Sequence, residues 1–320
     1  QMMLEHIQIP LSKRGYIFLL EHSRIKVTGG VLVYLKSESG VYKSYNIPNL
    51  NTSLLMIGEG SSITRDAVAM LGDSNTLLMF VGGKGLPLHG VSDLSFNIIS
   101  PSVEYRPTKY MQSWAQIFFD ETKRLKVAKI FMRLRIENIE YFFNKTTEIQ
   151  EMGINSSSID NIAIEFKSDV EKAKSTEELL LAEARFTKKL YAFFARTIKL
   201  AEFTRKHGVD SCDNDMDIVN NYLDHGNYLC YGLASVSLHG LGISYAFPVL
   251  HGKTRRGALV FDIADLVKDS ICLPLAFYCA INGNSDSEFR EKLMFNINSF
   301  KVLDLLFKQI ESSIEESFDA

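Results

Sequence analysis

No stretch of this chain stays apolar for the roughly twenty residues that a membrane-spanning helix needs. Its first residues, Gln1-Met2-Met3-Leu4-Glu5, have no basic region followed by an apolar one, so no secretory signal is expected there. Cysteine is scarce. The four in 320 residues are Cys212, Cys230, Cys272 and Cys279; none forms a CxxC pair and none clusters with histidine at zinc spacing. That excludes a disulfide scaffold and a zinc finger, and it fits free thiols in a reducing cytoplasm. A net charge of -3 supplies no global positive field for a polyanion. Nucleotide-loop signatures are missing too. Gly58-Glu59-Gly60-Ser61-Ser62 lacks both the Walker lysine-serine pair and the Rossmann spacing, and reads as a turn and helix cap. Gly82-Gly83-Lys84-Gly85 reads as a loop.

What is present is an ordinary globular composition, 46% apolar and 23% charged, on a chain long enough for two domains. The two halves differ in period. Tyr16 to Leu20 is a compact apolar run, and Arg24 to Thr28 alternates with period two. Gly29-Gly30 then turns the chain into Val31 to Leu35, a hairpin signal. Thr52 to Ile57 and Thr76 to Val81 are further strand-like runs, with a short helical stretch, Ile63 to Leu71, between them.

The pattern changes near residue 104. Arg106-Pro107-Thr108 reads as a helix start, and apolar residues then recur at three and four through Trp114, Ile117, Phe118, Leu125, Ala128, Phe131 and Leu134, which predicts one long helix to about Asn144. Ser175-Thr176-Glu177-Glu178 is a capping box opening another helix to about Phe203. Asp213 to Ser237, Gly257 to Lys268 and Ser287 to Ser313 also read as helical. The expectation is an α+β chain: a β-rich domain over 1–103, then an all-α domain over 104–320.

Carboxylates carry the chemistry. Asp262 and Asp265 lie three apart on a helix of Leu259, Val260, Phe261, Ile263, Ala264 and Leu266, which places both on one face within reach of a shared cation. In such surroundings two acids are costly unless hydrogen-bonded or metal-bound. His251 precedes that helix in a glycine-rich turn that brings it towards the same face. Glu183 is a lone acid in Leu179-Leu180-Leu181-Ala182-Glu183-Ala184. One imidazole with carboxylate oxygens suits Mg²⁺ or Mn²⁺. Each residue also has a plainer reading: Glu183 facing solvent, His251 a satisfied polar residue, and the aspartate pair a solvated helix face.

Two segments are basic. Lys123 to Arg135 holds six basic residues and no acid, and Lys123, Lys126, Lys129 and Arg133 share one stripe. Ala184 to Lys206 holds seven basic residues and one acid, with Arg185 and Lys188 closest to Glu183 and Tyr191 two turns beyond it. Basic faces beside carboxylates suit phosphodiester chemistry, in which cations hold the DNA backbone near a metal; the alternative is a solvated helix face.

Several stretches carry a resemblance: Leu20-Glu21-His22-Ser23-Arg24, Glu104-Tyr105-Arg106-Pro107-Thr108-Lys109-Tyr110, Ala182-Glu183-Ala184-Arg185-Phe186-Thr187-Lys188, Asp217 to Leu223, and Leu250-His251-Gly252-Lys253-Thr254 with Leu259 to Asp269. In order and spacing, from about Gly15 to about Glu311, the chain resembles the universal CRISPR adaptation endonuclease, the integrase subunit of spacer acquisition, in its type I-F branch. The resemblance implies a β-sandwich-like N-terminal domain that forms a homodimer, and a helical catalytic domain. It carries the family's metal ligands onto Glu183, His251 and Asp265, and its supporting acid onto Asp262. It also implies Mg²⁺ or Mn²⁺, protospacer and repeat duplexes as substrates, and a second universal adaptation protein fused to a helicase-nuclease. Two other functions fit the same residues: a metal nuclease for branched repair intermediates, and a non-catalytic DNA-binding scaffold.

Overall fold

The computed structural model describes residues 11–38, 41–82, 97–99, 108–200, 203–208, 214–252 and 257–319. The loop expected at 82–85, the helix start at Arg106-Pro107 and Cys212 therefore fall wholly or largely outside the described residues. Two compact units, 1–106 and 107–320, make up the chain.

The first unit contains β1 (Tyr16–Leu20), β2 (Ser23–Thr28), β3 (Val31–Glu38), β4 (Val41–Asn46), β5 (Thr52–Ile57), β6 (Ser62–Ile63), α1 (Arg65–Asp73), β7 (Leu77–Phe80) and β8 (Asn97–Ile99). They form two four-stranded sheets, ordered β1-β5-β7-β8 and β4-β3-β2-β6. Gly29 and Gly30, both at positive φ, make the two-residue turn that joins β2 to β3. In the other sheet β5 runs parallel to both neighbours, β1 and β7, and is buried along its whole length. A strand covered on both faces needs a continuous apolar run, which Thr52 to Ile57 largely supplies. Leu20, Leu55 and Leu78 of this sheet and Ile25 and Leu32 of the other share one core with Ala67 and Leu71 of α1. The cap of α1 is Thr64, whose hydroxyl accepts from Ala67 N at 3.3 Å; the Gly58–Ser62 segment is only the turn before it.

The second unit is helical: α2 (Thr108–Phe119), α3 (Glu121–Phe143), α4 (Thr147–Glu151), α5 (Asp160–Lys172), α6 (Thr176–Thr197), α7 (Asp215–Leu241), α8 (Ala258–Val267), α9 (Leu273–Ile281), α10 (Asp286–Ser299) and α11 (Val302–Phe318). The single helix expected over 108–144 is two. Asp120 is extended, and its carboxylate accepts from Thr122 N and Lys123 N, so it starts a new helix where periodicity alone shows continuity. The helix expected over 287–313 is likewise interrupted, at Lys301, whose φ of 52° lies in the left-handed region. The helix opened by Ser175 ends at Thr197, short of Phe203, and Lys199 also takes a left-handed φ.

Helix α8 organises this unit. Every residue from Ala258 to Val267 is buried. It packs against α3 and α7 and continues into one turn of π-helix, Lys268–Cys272, that leads into α9. A π-turn rotates the side chains that follow it relative to a regular helix. Here it gives Lys268 and Asp269 separate partners.

Candidate metal centre

Two acids on α8 sit where water does not reach: Asp262 is 2% exposed and Asp265 is 4% exposed. Their surroundings give them different tasks. Asp262 accepts four hydrogen bonds, from Val249 N (2.7 Å), Leu250 N (3.2 Å), His251 N (3.0 Å) and His251 Nδ1 (2.7 Å). It therefore ties the 249–251 segment to α8 and fixes the imidazole, with the Nδ1 proton facing a carboxylate and Nε2 left as the ligating nitrogen. The shared cation face expected for Asp262 and Asp265 is not formed: Asp262 is spent on the loop.

Asp265 is the complement. Its Oδ1 is held by Lys268 Nζ at 2.5 Å, and its Oδ2 has no hydrogen-bond partner among the described residues. Burial raises the Asp265 carboxyl above the usual carboxylate range, against the pull of Lys268, with Glu183 adding to the rise. Glu183, on α6, reaches the same place. One ligand atom from each of Glu183, His251 and Asp265 lies within 4.8 Å of the other two.

A fixed ionic lattice holds this trio. Arg135 of α3 is 1% exposed and sits over the face of Phe186. Its Nη1 donates to Glu183 Oε1 at 2.8 Å, Nη2 to Thr187 Oγ1 at 3.0 Å, and Nε to Asp269 Oδ2 at 2.7 Å, with a second, very short contact from Nη2 to the same oxygen. Burial works against the guanidinium charge, but Asp269, Glu183 and Asp265 outweigh it and hold it protonated. Burial likewise works against the Glu183 charge, yet Arg135 and Lys268 bring its carboxyl down to about 2. For His251, burial disfavours the protonated ring; the bond to Asp262 and the charges of Asp265, Asp262 and Glu183 prevail and raise it above its ordinary value.

Charge shows what the cluster can hold. Four carboxylates (Glu183, Asp262, Asp265 and Asp269) meet two permanent cations, Arg135 and Lys268. With Asp265 ionised and His251 neutral, as a bound metal would require, the excess equals the charge of one divalent cation. Together with the unpartnered Oδ2 of Asp265, it makes Glu183, His251 and Asp265 a fitting donor set for Mg²⁺ or Mn²⁺. Arg135 and Asp269 had no assigned role in the sequence reading. Arg135 lies at the end of a basic run, but Ala128, Phe131, Arg135, Asn138 and Phe142 follow the three-four spacing of a buried face, and all five are buried. A base on that stripe was the available signal. Tyr191, half-buried on α6, packs on Phe203 at 5.3 Å and lies near enough to Asp269 for that charge to add to burial in raising its hydroxyl.

The basic residues are placed as follows. Lys123, Lys126, Lys129 and Arg133 share one side of α3, but each already has a partner. Lys123 Nζ lies 4.4 Å from the Phe318 ring centre, and Lys126 Nζ donates to Asp319 O at 2.7 Å. Lys129 Nζ donates to Glu171 O at 2.9 Å, and Arg133 grips both Glu316 oxygens at 3.0 and 2.6 Å. The Lys126 and Lys129 partners are backbone carbonyls, and Arg133 takes Glu316 from α11 besides Glu137 of its own helix, so a count along α3 does not reveal them. Arg185 pairs with Asp169 at 2.8 Å, while Lys188 is exposed and has no ion-pair partner among the described residues.

A family model described as "CRISPR associated protein Cas1" matches residues 17–297. The "CRISPR-associated endonuclease Cas1" of Pseudomonas aeruginosa (strain UCBPP-PA14) is 37% identical over 311 residues, covering 96% of this chain and 94% of that protein. The protein of the same name from Pectobacterium atrosepticum is 36% identical and covers 94% and 92%. Among solved structures, the TtCas1-DNA complex superposes with a TM-score of 0.67 at 20% identity, over 93% of this chain and 91% of that one, a likeness of fold.

Proposed function

The chain belongs to the Cas1 family of CRISPR-associated proteins, and from that premise we propose that it is a divalent-metal-dependent DNA integrase of the type I-F branch that joins spacer DNA into a CRISPR array. The observation that carries this reading is the convergence of half-buried Glu183 and His251 with buried Asp265, one ligand atom of each within 4.8 Å of the others. When bound there, Mg²⁺ or Mn²⁺ would supply Lewis-acid polarisation of a phosphodiester oxygen and make the attacking hydroxyl more acidic.

The protein's own groups do the rest. Asp262 holds His251 in one tautomer and one orientation. Arg135 holds Glu183 and Asp269 in register, and Lys268 stays beside Asp265. Exposed Lys188, on the helix of Glu183, is placed to hold a DNA phosphate, and Arg185 joins it when released from Asp169. Lys123, Lys126, Lys129 and Arg133 contact the flanking duplex. The 3′-hydroxyl of the incoming strand attacks phosphorus at the repeat boundary. A new P–O bond forms and the existing P–O3′ bond breaks; the attacking hydroxyl gives its proton to solvent, the departing 3′-oxygen takes one up to become a 3′-hydroxyl, and no bond to protein forms. With water as the nucleophile the same groups cleave DNA.

The first unit forms the homodimer, and the second universal adaptation protein, fused to the helicase-nuclease, is the assembly partner in the cytoplasm. A strand-transfer assay on a repeat-bearing plasmid tests the reading. Joined product is expected from wild type with Mn²⁺ and none from Glu183→Gln. Cleavage of branched DNA without any joining would favour a repair nuclease, and binding without metal-dependent chemistry would favour a scaffold.

A further inference from the structure

The basic stripe of α3 is covered by the chain itself. Four acids and no base occur between Glu311 and Asp319. The last residues of α11 and Asp319 after it lie on the stripe: Glu316 on Arg133, Asp319 O on Lys126, and Phe318 on Lys123. A cavity of about 450 Å³ opens beside these contacts, lined by Lys126, Lys129, Arg133 and Glu316 among others, with Ile130 and Phe166 also in its wall. The Arg133–Glu316 pair is water-exposed, at 48% and 40% for the two side chains. Exposed ion pairs of this kind are weak and easily exchanged. The arrangement is bidentate, the geometry in which arginine also takes phosphate.

We propose that the C-terminal turn of α11, Glu316 to Asp319, occupies the DNA-backbone surface of α3 in place of phosphate, and that duplex DNA binds there by displacing it. This rests on the reading of the stripe as a DNA contact. Glu316 presents two oxygens and Asp319 a carbonyl to the cations that a phosphodiester would contact. A duplex makes the exchange favourable because each neutralised phosphate releases condensed counterions, which the short acidic turn does not. The consequence is selective. Incidental contact with DNA must displace the turn with the stripe alone, whereas a substrate also engaged near the metal centre has further contacts to hold it. Non-productive binding is suppressed, and displacement accompanies productive engagement.

The experiment measures affinity for a random-sequence duplex by fluorescence anisotropy across a salt series, on the full chain. Glu316→Gln with Asp319→Asn removes negative charge from the turn. Glu59→Gln with Glu291→Gln, two exposed acids outside the C-terminal turn, is the charge-matched control. Lys126→Gln with Arg133→Gln, the two cations that the turn occupies, reports on the stripe. The turn variant is expected to bind about 3- to 10-fold tighter than both wild type and the control, and to lose that gain when combined with the stripe variant. Hydrogen exchange over residues 312–319 is expected to speed up on adding duplex, because the turn leaves α3. Weaker binding by the stripe variant, with no gain from the turn variant over its control, would overturn the proposal and leave the DNA reading standing. An unchanged affinity in the stripe variant would overturn both. Slower exchange of the turn on adding DNA would also overturn the proposal, since it would mean DNA is added over the turn.

Discussion

Asp262 and Asp265 are the same residue type, three positions apart on one buried helix, yet they have separate roles. Asp262 is saturated by three backbone amides and an imidazole, while Asp265 has only Lys268 on one oxygen and keeps the other open beside Glu183. Asp262→Asn should therefore act through His251. Replacing one oxygen by an amide nitrogen sets donors against donors, loosens the 249–251 segment and frees the ring. Mn²⁺ affinity is expected to fall about 10- to 100-fold although all three ligands remain, the usual effect of losing a residue that orients a ligand. Calorimetric titration checks it, and unchanged affinity would count against the positioning role. His251 also sets a pH dependence. Its raised value means that proton and cation compete for the ring, so affinity should weaken as pH falls through that value. Titrations at about pH 6 and about pH 8 in two buffers of different ionisation heat should show weaker binding and more proton release at the lower pH; equal affinity with no proton release would contradict this. The cluster itself was legible in the sequence, because Glu183, His251 and the α8 acids stand in motifs and three of them come together in the structure. The division of labour between the two aspartates was not, since spacing places both on one face and only the 249–251 loop distinguishes them.

Among the elements, α3 carries two faces of opposite purpose. Its outer stripe is basic and exchangeable, and its inner face contributes Arg135 to the metal centre. Removing that charge leaves Glu183 and Asp269 without their shared partner in a buried setting. Arg135→Met, which keeps much of the side-chain volume, is expected to cost about 3–5 kcal/mol of stability in urea unfolding. A loss below about 1 kcal/mol would show that the lattice relaxes and does not hold the carboxylates in place. The π-turn after α8 matters for the same reason. It gives Lys268 to Asp265 and Asp269 to Arg135, an allocation hidden from sequence because periodicity assumes regular helix. Helix breaks at Asp120 and Lys301 escaped periodicity in the same way: capping aspartate and left-handed lysine interrupt the backbone without interrupting the apolar stripe. By contrast, β1, β5 and the β2–β3 hairpin were readable almost to the residue, because an apolar run bounded by turn glycines admits few other structures.

For the molecule as a whole, the two units answer different demands. In the first, β4 pairs on one side only among the described residues, with Val41 62% and Tyr42 75% exposed and no position of the strand buried. Exposed edges are covered in stable assemblies, and the proposed homodimer is the natural cover. Multi-angle light scattering at micromolar concentration should give twice the chain mass of 36.2 kDa; a monomer would contradict it. The second unit sets a buried acidic centre against an outer basic surface, so binding and chemistry should separate on mutation. Asp265→Asn is expected to retain duplex affinity while losing strand transfer. Everything at this scale depends on the cluster being a metal site. The most direct measurement is an anomalous difference map from a crystal soaked in Mn²⁺. The account predicts one strong peak with a Glu183 oxygen, His251 Nε2 and an Asp265 oxygen each about 2.0–2.3 Å away, absent in Asp265→Asn. A soaked wild-type crystal with no peak between these three residues, or with Lys268 still closed on Asp265 and manganese bound elsewhere, would contradict it.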